Sequence, residues 1–493
     1  MFTICTFKNI SKTAGEALEY LGEVIRFDLL EDTIPGSSGI PYLILEEDTI
    51  RWPHKWHNQE PPVLFPPTSL NKNALMAIAL TKLGHYDLAL KYTTDPDLEI
   101  IIRCFKYLTE REGLPDLTWG YDYYGNHNRA ILYHYTRKTD NGSSPAELYE
   151  MALAMAPDPE LASFTARHYG VYLFDRGHVE HAEELLRNQI MNEAISEDAQ
   201  YTLKFDLVSV LAKKLAVPYD QQLIAELKTL IGETLEFYES RGMDVQAALL
   251  LAEASEVANI EENYTESLGY INRAIATYRR EELTEFLANA FFRKGTLLYT
   301  WAQNGNPQFF KSAAETYQEA LKTFKKHTSP AVFAEIHHNL GVIYAEMPTD
   351  PKQEGIMAAV SASSFKESLE YFSKDGFPYN YAMITNNYAN ALMKYPAARN
   401  GDNFEKAIYY FKESLEIRNA GKYPLERAHT ILNYLEACWR VHNINSGMER
   451  VRYRDMVRKA LEVKKLTTDT ELITQAEEHL KKLKELSRIL TGS

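Results

Sequence analysis

The stretch "FKESLE" occupies Phe365–Glu370, and the same six residues return at Phe411–Glu416, 46 positions on. In each copy the aromatic, a small residue three places later and the leucine beside it share one side of a helix, while lysine and the glutamates fall elsewhere. The pattern extends toward the N-terminus. "YQEALKTF" (Tyr317–Phe324), "INRAIATY" (Ile271–Tyr278) and "IGETLEFY" (Ile231–Tyr238) carry the same order at intervals of 40 to 48 residues. Before several of these segments lies a second kind of helix. "FAEIHHNLGVIYAEM" (Phe333–Met347), "YAMITNNYANALMKY" (Tyr381–Tyr395) and "RAHTILNYLEACWRV" (Arg427–Val441) each place Ala five residues before Asn, at Asn339, Asn387 and Asn433. "LANAFFRKGTLLYTW" (Leu287–Trp301) fits that frame with Arg293 in the asparagine position.

Two helices per unit and a period of 40 to 48 residues predict a stack of helical hairpins, each burying its apolar face against its neighbours. The expected fold class is therefore all-α, a helical-hairpin repeat solenoid of about seven to nine hairpins, with a small α/β element at the N-terminus. A repeat array also explains how 493 residues fold without one very large core. The expected divisions are 1–69 as a small α/β element or arm, 70–190 and 191–445 as hairpin repeats of shorter and longer period, and 446–493 as capping helices. In the first division "MFTICTF" and "IPYLILEED" predict strands around a helix from Thr13 to Arg26, followed by the proline-rich "RWPHKWHNQEPPVLFPPTS" and a helix start at Ser69.

Composition limits the function. A formal charge of −15 and an isoelectric point near 5.5 repel phosphate backbones, which disfavours a nucleic-acid binder. No stretch reaches the ~18–20 apolar residues that a membrane span needs, and no signal peptide is read at the start. Three scattered cysteines, Cys5, Cys104 and Cys438, give no disulfide framework or zinc motif and are expected as free thiols. The expectation is a reduced, cytoplasmic protein in which the sequons at Asn9, Asn141 and Asn263 carry no weight. A basic run at Arg450, Arg452, Arg454, Arg458, Lys459, Lys464 and Lys465 is interrupted by Glu449, Asp455 and Glu462 and predicts a solvated helix face before an anion site.

Several segments resemble the tetratricopeptide repeat. "LGHYDLALKY" (Leu83–Tyr92) has Gly84, Tyr86 and Ala89 at the spacing of that family's inter-helix turn; "YEMALAMAPDP" (Tyr149–Pro159) has Tyr149, Ala152 and Pro157 at the spacing of its end; "HYGVYLFDRGHVEHAEELL" (His168–Leu186) offers Gly170, Gly177 and Ala182. The later Ala…Asn-Leu units resemble the longer repeats of kinesin light chains and of bacterial signalling arrays. The resemblance spans roughly 70–445, with 100–145 and 190–230 matching poorly. It implies that first helices line a concave groove, and that the position two before the small Gly or Ala holds peptide backbone or carboxylates. The implied groove column is Arg293, Asn339, Asn387 and Asn433; His338, Asn386 and Asn390 lie within one turn of it. An amide both donates to and accepts from a main chain, so an exposed column of amides suits an extended peptide.

Other constellations predict packing before chemistry. His54, His57, His127 and His134 lack a completing carboxylate or thiolate, so no metal is expected. Cys438 and His442 stand one turn apart on a repeat helix, where a buried structural thiol is expected. Trp119, Tyr121, Tyr123, Tyr124, Tyr133 and Tyr135 are expected at a packed joint between repeats. No phosphate loop or hydrolase motif occurs, so neither catalytic residues nor a cofactor are expected. These observations predict a non-enzymatic scaffold binding a protein or peptide, with basic patches complementary to the chain's charge, and neither nucleic acid nor membrane. The alternative is an accessory or regulatory subunit that senses a ligand or partner and controls a separate enzyme, such as a protease or nuclease.

Overall fold

The computed structural model describes residues 2–6, 14–16, 18–19, 25–29, 42–46, 48–57, 61–113, 115, 120–136, 143–397, 402–441 and 446–491. They gather into two compact bodies, Met1–Arg241 and Gly242–Ser493. The first begins with a five-stranded sheet of order β2-β1-β3-β4-β5: β1 (Phe2–Thr6), β2 (Ile25–Leu29), β3 (Tyr42–Glu46), β4 (Thr49–Arg51) and β5 (Thr68–Ser69). β1 runs parallel to β2 and β3, and β3, β4 and β5 pair antiparallel. The strands expected in "MFTICTF" and "IPYLILEED" are β1 and β3. The helix expected over Thr13–Arg26 is corrected at its end, since Ile25 and Arg26 open β2 in register with Phe2 and Thr3. "IRFDL" alternates apolar and charged residues, a period of two that favours a strand. Ala14–Glu16 is helical, and most of the remaining range lies outside the described residues.

The helices of the first body are α1 (Lys72–Lys82), α2 (Tyr86–Ala89), α3 (Pro96–Glu110), α4 (Tyr123–Thr136), α5 (Pro145–Ala154), α6 (Pro159–Asp175), α7 (Val179–Ile190), α8 (Glu197–Lys213) and α9 (Gln221–Ser240). They pack as hairpins α1/α2, α4/α5, α6/α7 and α8/α9, with α3 between the first two. The first helices α4, α6 and α8 also touch in sequence, making one continuous face. The second body comprises α10 (Asp244–Ile260), α11 (Tyr264–Arg280), α12 (Thr284–Gln303), α13 (Phe309–Ala320), α14 (Pro330–Glu346), α15 (Glu354–Tyr371), α16 (Pro378–Lys394), α17 (Asn403–Ile417), α18 (Pro424–Arg440), α19 (Ser446–Leu466) and α20 (Thr470–Thr491). Hairpins α10/α11 through α18/α19 stack in chain order, α20 packs on α18 and α19, and α10, α12, α14, α16 and α18 contact one another in succession. Among the described residues every strand precedes residue 70. Each body is thus an array of stacked helical hairpins, and in the first the hairpins follow a small α/β element.

Local chemistry places the turns. Pro96, Pro145, Pro159, Pro330, Pro378 and Pro424 each open a helix, where the missing N–H costs nothing. Gly84 and Gly177, with φ of 78° and 81°, close α1 and α6. In each case the following N–H reaches back to a carbonyl five residues earlier, His85 to Leu80 and His178 to Leu173, which satisfies the frayed end of the helix. Glu262 and Glu282 take the same left-handed turn at φ of 61° and 56°, a conformation that strains a side-chain-bearing residue.

Inside a hairpin, a small residue of the first helix receives a large one of the second. An added Cβ on Gly341 would lie 2.9 Å from the Phe365 ring, and one on Gly295 2.8 Å from the Tyr317 ring. Phe365 and Phe411 are both fully buried, as the repeated hexamer predicts. Its glutamates have a repeated partner as well. Lys326 Nζ lies 2.8 and 2.6 Å from Glu367 and Glu370, and Lys374 Nζ 3.0 and 2.6 Å from Glu413 and Glu416. The hexamer therefore recurs because one side enters the hairpin core and the other grips the lysine that follows the preceding second helix. The ion pairs are largely exposed and each contributes under about 1 kcal/mol, so the aromatic dominates.

Two substitutions test this packing. Gly341→Ala is expected to destabilise the second body by about 1–3 kcal/mol, because the methyl overpacks a fixed ring. Glu282→Gly is expected to stabilise it by about 0.5–1 kcal/mol by relieving the left-handed turn. Chemical denaturation monitored by helical circular dichroism measures both; equal stability of the wild type and Gly341→Ala would show that the ring moves freely aside.

Candidate functional site

The proline-rich stretch that follows β4 defines a site in the first body. β4 and β5 form an antiparallel pair, and described residues between them, among them Trp56, His57, Pro62 and Leu64, lie against the face made by α4, α6 and α8. Asn128 on α4 holds it at two points: Leu64 N–H donates to Asn128 Oδ1 at 2.7 Å, and Asn128 Nδ2 donates to Leu64 C=O at 2.8 Å. Asn128 is completely buried and Leu64 nearly so. A side-chain amide has here taken the place of a neighbouring strand, pairing both polar groups of one residue of an extended chain.

Further contacts continue along the row of first helices. The neighbouring His127 ring sits between Pro62 C=O and Thr165 Oγ1, 2.9 Å from each. On α6, Arg167 donates to Trp56 C=O at 3.2 Å and to Asp206 of α8 at 2.8 Å. Trp56 Nε1 donates to Glu160 at 2.7 Å. His57 meets Thr202 of α8 at 3.3 Å and sets its ring edge-on to Tyr238, with centroids 5.5 Å apart. The aromatic residues of the segment fill the gaps: Trp52 stacks on Phe65 at 4.4 Å and on Phe105 at 5.0 Å, and His54 packs on Phe164 at 4.9 Å. Between segment and helices remains a cavity of ≈ 220 Å³ lined in part by His54, Tyr135, Phe164, Arg167 and His168. The His168 Nε2 atom is buried there without a partner.

Asn128 stands two residues before Ala130, as Asn339 stands before Gly341 and Asn387 before Ala389. Asn128 thus holds backbone in the first body, and the occupant is the chain's own segment. The sequence reading missed Asn128 because 100–145 matches the repeat poorly. The signals present were the Asn-x-small spacing and a tract of prolines, whose tertiary amides favour extended backbone.

In the second body the column Arg293, Asn339, Asn387 and Asn433 lies on the successive first helices α12, α14, α16 and α18. Arg293 pairs with Glu253 at 2.8 Å and donates to Ala252 C=O at 3.2 Å on α10. Asn339 donates to Tyr317 Oη at 3.1 Å, and Asn387 Nδ2 lies 3.0 Å from His338 Nε2. Asn386 donates to Asn387 at 3.3 Å, and its own carbonyl oxygen is buried without a partner. Asn390 and Asn433 are half-buried. The expectation of exposed amides is therefore revised: three members of the column also bridge neighbouring helices, and His338 is an interior residue whose pKa burial lowers to about 4. Gly295 meets Tyr317 as Gly341 meets Phe365, and Lys294 reaches Asn272 at 2.9 Å.

The remaining candidates separate. Cys5, Cys104 and Cys438 are buried free thiols, and burial raises the Cys438 pKa to about 11, far from a reactive thiolate. His442, Trp119, Asn9 and Asn141 lie outside the described residues. Asn263 lies in the turn before α11 and donates to Glu266 at 2.5 Å. His57, His127 and His134 have separate hydrogen-bond partners, His54 packs on Phe164, and no group of three metal-ligating side chains occurs among the described residues. Of the aromatic run, Tyr123 and Tyr133 are buried while Tyr121 and Tyr135 are exposed. Among the described residues no helix is long and apolar enough to cross a membrane.

No protein-family model and no curated protein matches the chain. Solved structures that it resembles include yeast Tom70, with a TM-score of 0.36 and 13% identity over 85% of this chain and 82% of that one. The TPR domain of P58(IPK) gives 0.23 and 13% over 85% and 98%, and a circular tandem repeat protein 0.20 and 14% over 85% and 96%. The repeat architecture rests on the chain's own helix pairs and spacings.

Asn128→Ala leaves a buried N–H and C=O unpaired, so it is expected to cost about 2–4 kcal/mol and to expose Trp52–Phe65 to proteolysis. Loss of stability with Leu64 still protected from hydrogen exchange would refute the two-point contact. Acid is expected to loosen both bodies. Burial lowers the His127 pKa to about 4, as it does that of His338, from an ordinary 6.5. The unfolded chain therefore binds these protons first, and stability present above pH 6.5 is lost as pH falls toward 4, by up to about 1.4 kcal/mol per pH unit for each histidine. Denaturation of wild type and His127→Gln at pH 7.5 and 5 measures this; the variant should show the smaller acid loss.

Proposed function

We propose that the chain is a non-catalytic scaffold that binds an extended segment of a protein partner on the first-helix face of its second body. The observation that carries the reading is the two-point contact between Asn128 and Leu64 in the first body. A face of stacked first helices in this chain holds extended backbone through an asparagine two places before a small residue, and α14 and α16 repeat that placement. Arg293, Asn386, Asn390 and Asn433 accompany Asn339 and Asn387 as the contact residues, with His338 behind them. The donorless oxygen of Asn386 favours a ligand N–H, because supplying a missing hydrogen bond removes a desolvation penalty. Glu253, Glu256 and Glu346 on α10 and α14 join a net charge of −15 in favouring a partner with basic patches, whose association slows with added salt.

The direct experiment is a titration with the partner recovered from the native host by the immobilised chain. Asn390→Ala and Asn433→Ala are expected to change stability by under about 0.5 kcal/mol and to weaken binding by roughly 1–3 kcal/mol for each amide that meets the ligand backbone. Asn387→Ala is expected to lower both stability and affinity, since it also contacts His338. Undiminished binding by a folded variant lacking Asn390 and Asn433 would place the partner elsewhere.

A further inference from the structure

The basic run of α19 is more than a solvated face. Together with α17 and α18 it encloses a cleft of ≈ 890 Å³. Ile408, Leu415 and Val451 supply apolar walls, and Lys412, Arg454 and Lys459 are among the cations that line it. Lys459 is 92% buried, having 8% of its surface exposed, and its contact is with the Tyr434 ring, whose centroid lies 5.4 Å from Nζ. The neighbouring acids have other partners. Asp455 accepts from Tyr434 at 2.6 Å and from Arg458, Glu462 pairs with Arg427 at 2.6 Å, and Glu416 pairs with Lys374 at 2.6 Å. Lys459 feels the fields of Asp455 and Glu462 but forms no ion pair with either, and burial still holds its pKa below the usual lysine value, a cost that an arriving anion relieves. Lys412 and Arg454 stand exposed at the rim, where they attract anions into a cleft of an otherwise acidic chain.

We propose that this cleft binds an acidic peptide segment of a protein partner, placing an Asp or Glu carboxylate on Lys459 and Arg454 and an aliphatic or aromatic side chain against Ile408, Leu415 and Val451. The site belongs to the second helices α17 and α19 with α18 between them, and it prefers the charge opposite to that proposed for the first-helix face. A compact phosphate would leave the apolar walls unused, and a long polyanion would meet Glu416, Glu449 and the chain's net charge.

The test is selection from a random dodecapeptide phage library on the immobilised full chain, with Arg454→Glu as counter-target. Arg454 is exposed, so the variant keeps its fold, which circular dichroism verifies. Peptides held by the wild type and lost by Arg454→Glu should carry Asp or Glu beside Leu, Ile, Val or an aromatic. Synthesised, they should bind about tenfold more weakly to Arg454→Glu and to Lys459→Met, and weaken with salt. Absence of such a class, or a class without acidic residues, overturns the proposal. Thermal stabilisation of the wild type by pyrophosphate that Arg454→Glu abolishes, with no peptide class, assigns the cleft to a small phosphate anion and also overturns it. Failure here leaves the first-helix reading untouched, because Asn390→Ala and Asn433→Ala lie outside this cleft.

Discussion

The contact of Gly341 with Phe365, repeated as Gly295 with Tyr317, is the constraint from which the array follows. A residue without a side chain lets two helices approach until an aromatic ring on one rests against the backbone of the other. The space is filled at crystal-like density, and the dispersion and hydrophobic gain of a whole ring is concentrated at one point per hairpin. With that point fixed, the faces of both helices are fixed as well. The first helix turns the residue two places earlier toward neighbouring helices, and the second carries the charged half of FKESLE to the preceding unit's lysine.

That geometry makes the first-helix face a place where hydrogen-bonding side chains recur at regular intervals with apolar residues between them. In the first body the chain itself occupies the face. Prolines set the segment's backbone before it docks, so little conformational freedom is lost on binding. Trp56 and Phe65 are buried, Trp52 and His54 pack on Phe65 and Phe164, and Asn128, His127 and Arg167 answer the segment's carbonyls. The same principle governs the separate polar bridges of the second body, where Asn339 and Asn387 join neighbouring helices and leave half-buried amides on the same side.

Electrostatics distinguishes the two faces of the second body. Acidic groups on the first helices and an overall negative field attract cations, while α19 gathers arginines and lysines around an apolar cleft. The two surfaces proposed for the second body therefore differ in the charge of the ligand each would prefer.

The sequence by itself determined the repeat, the pairing of first and second helices, the burial of Phe365 and Phe411, and the strands β1 and β3. These depend on periodicity and on side-chain volume, which are local in the chain. The resemblance to the tetratricopeptide repeat implied that the position two residues before the small residue meets backbone. Only the tertiary structure decided what meets it. Asn128 and Leu64 are 64 residues apart, and no periodicity connects a proline-rich segment with the helix it crosses. The bridges of Arg293, Asn339 and Asn387 were hidden for the same reason, since an amide's partner depends on the crossing of helices distant in sequence. The cleft of α19 likewise needed the fold: the run of basic residues is plain in the chain, but the burial of Lys459 and the diversion of Asp455, Glu462 and Glu416 to other partners arise only when three helices come together.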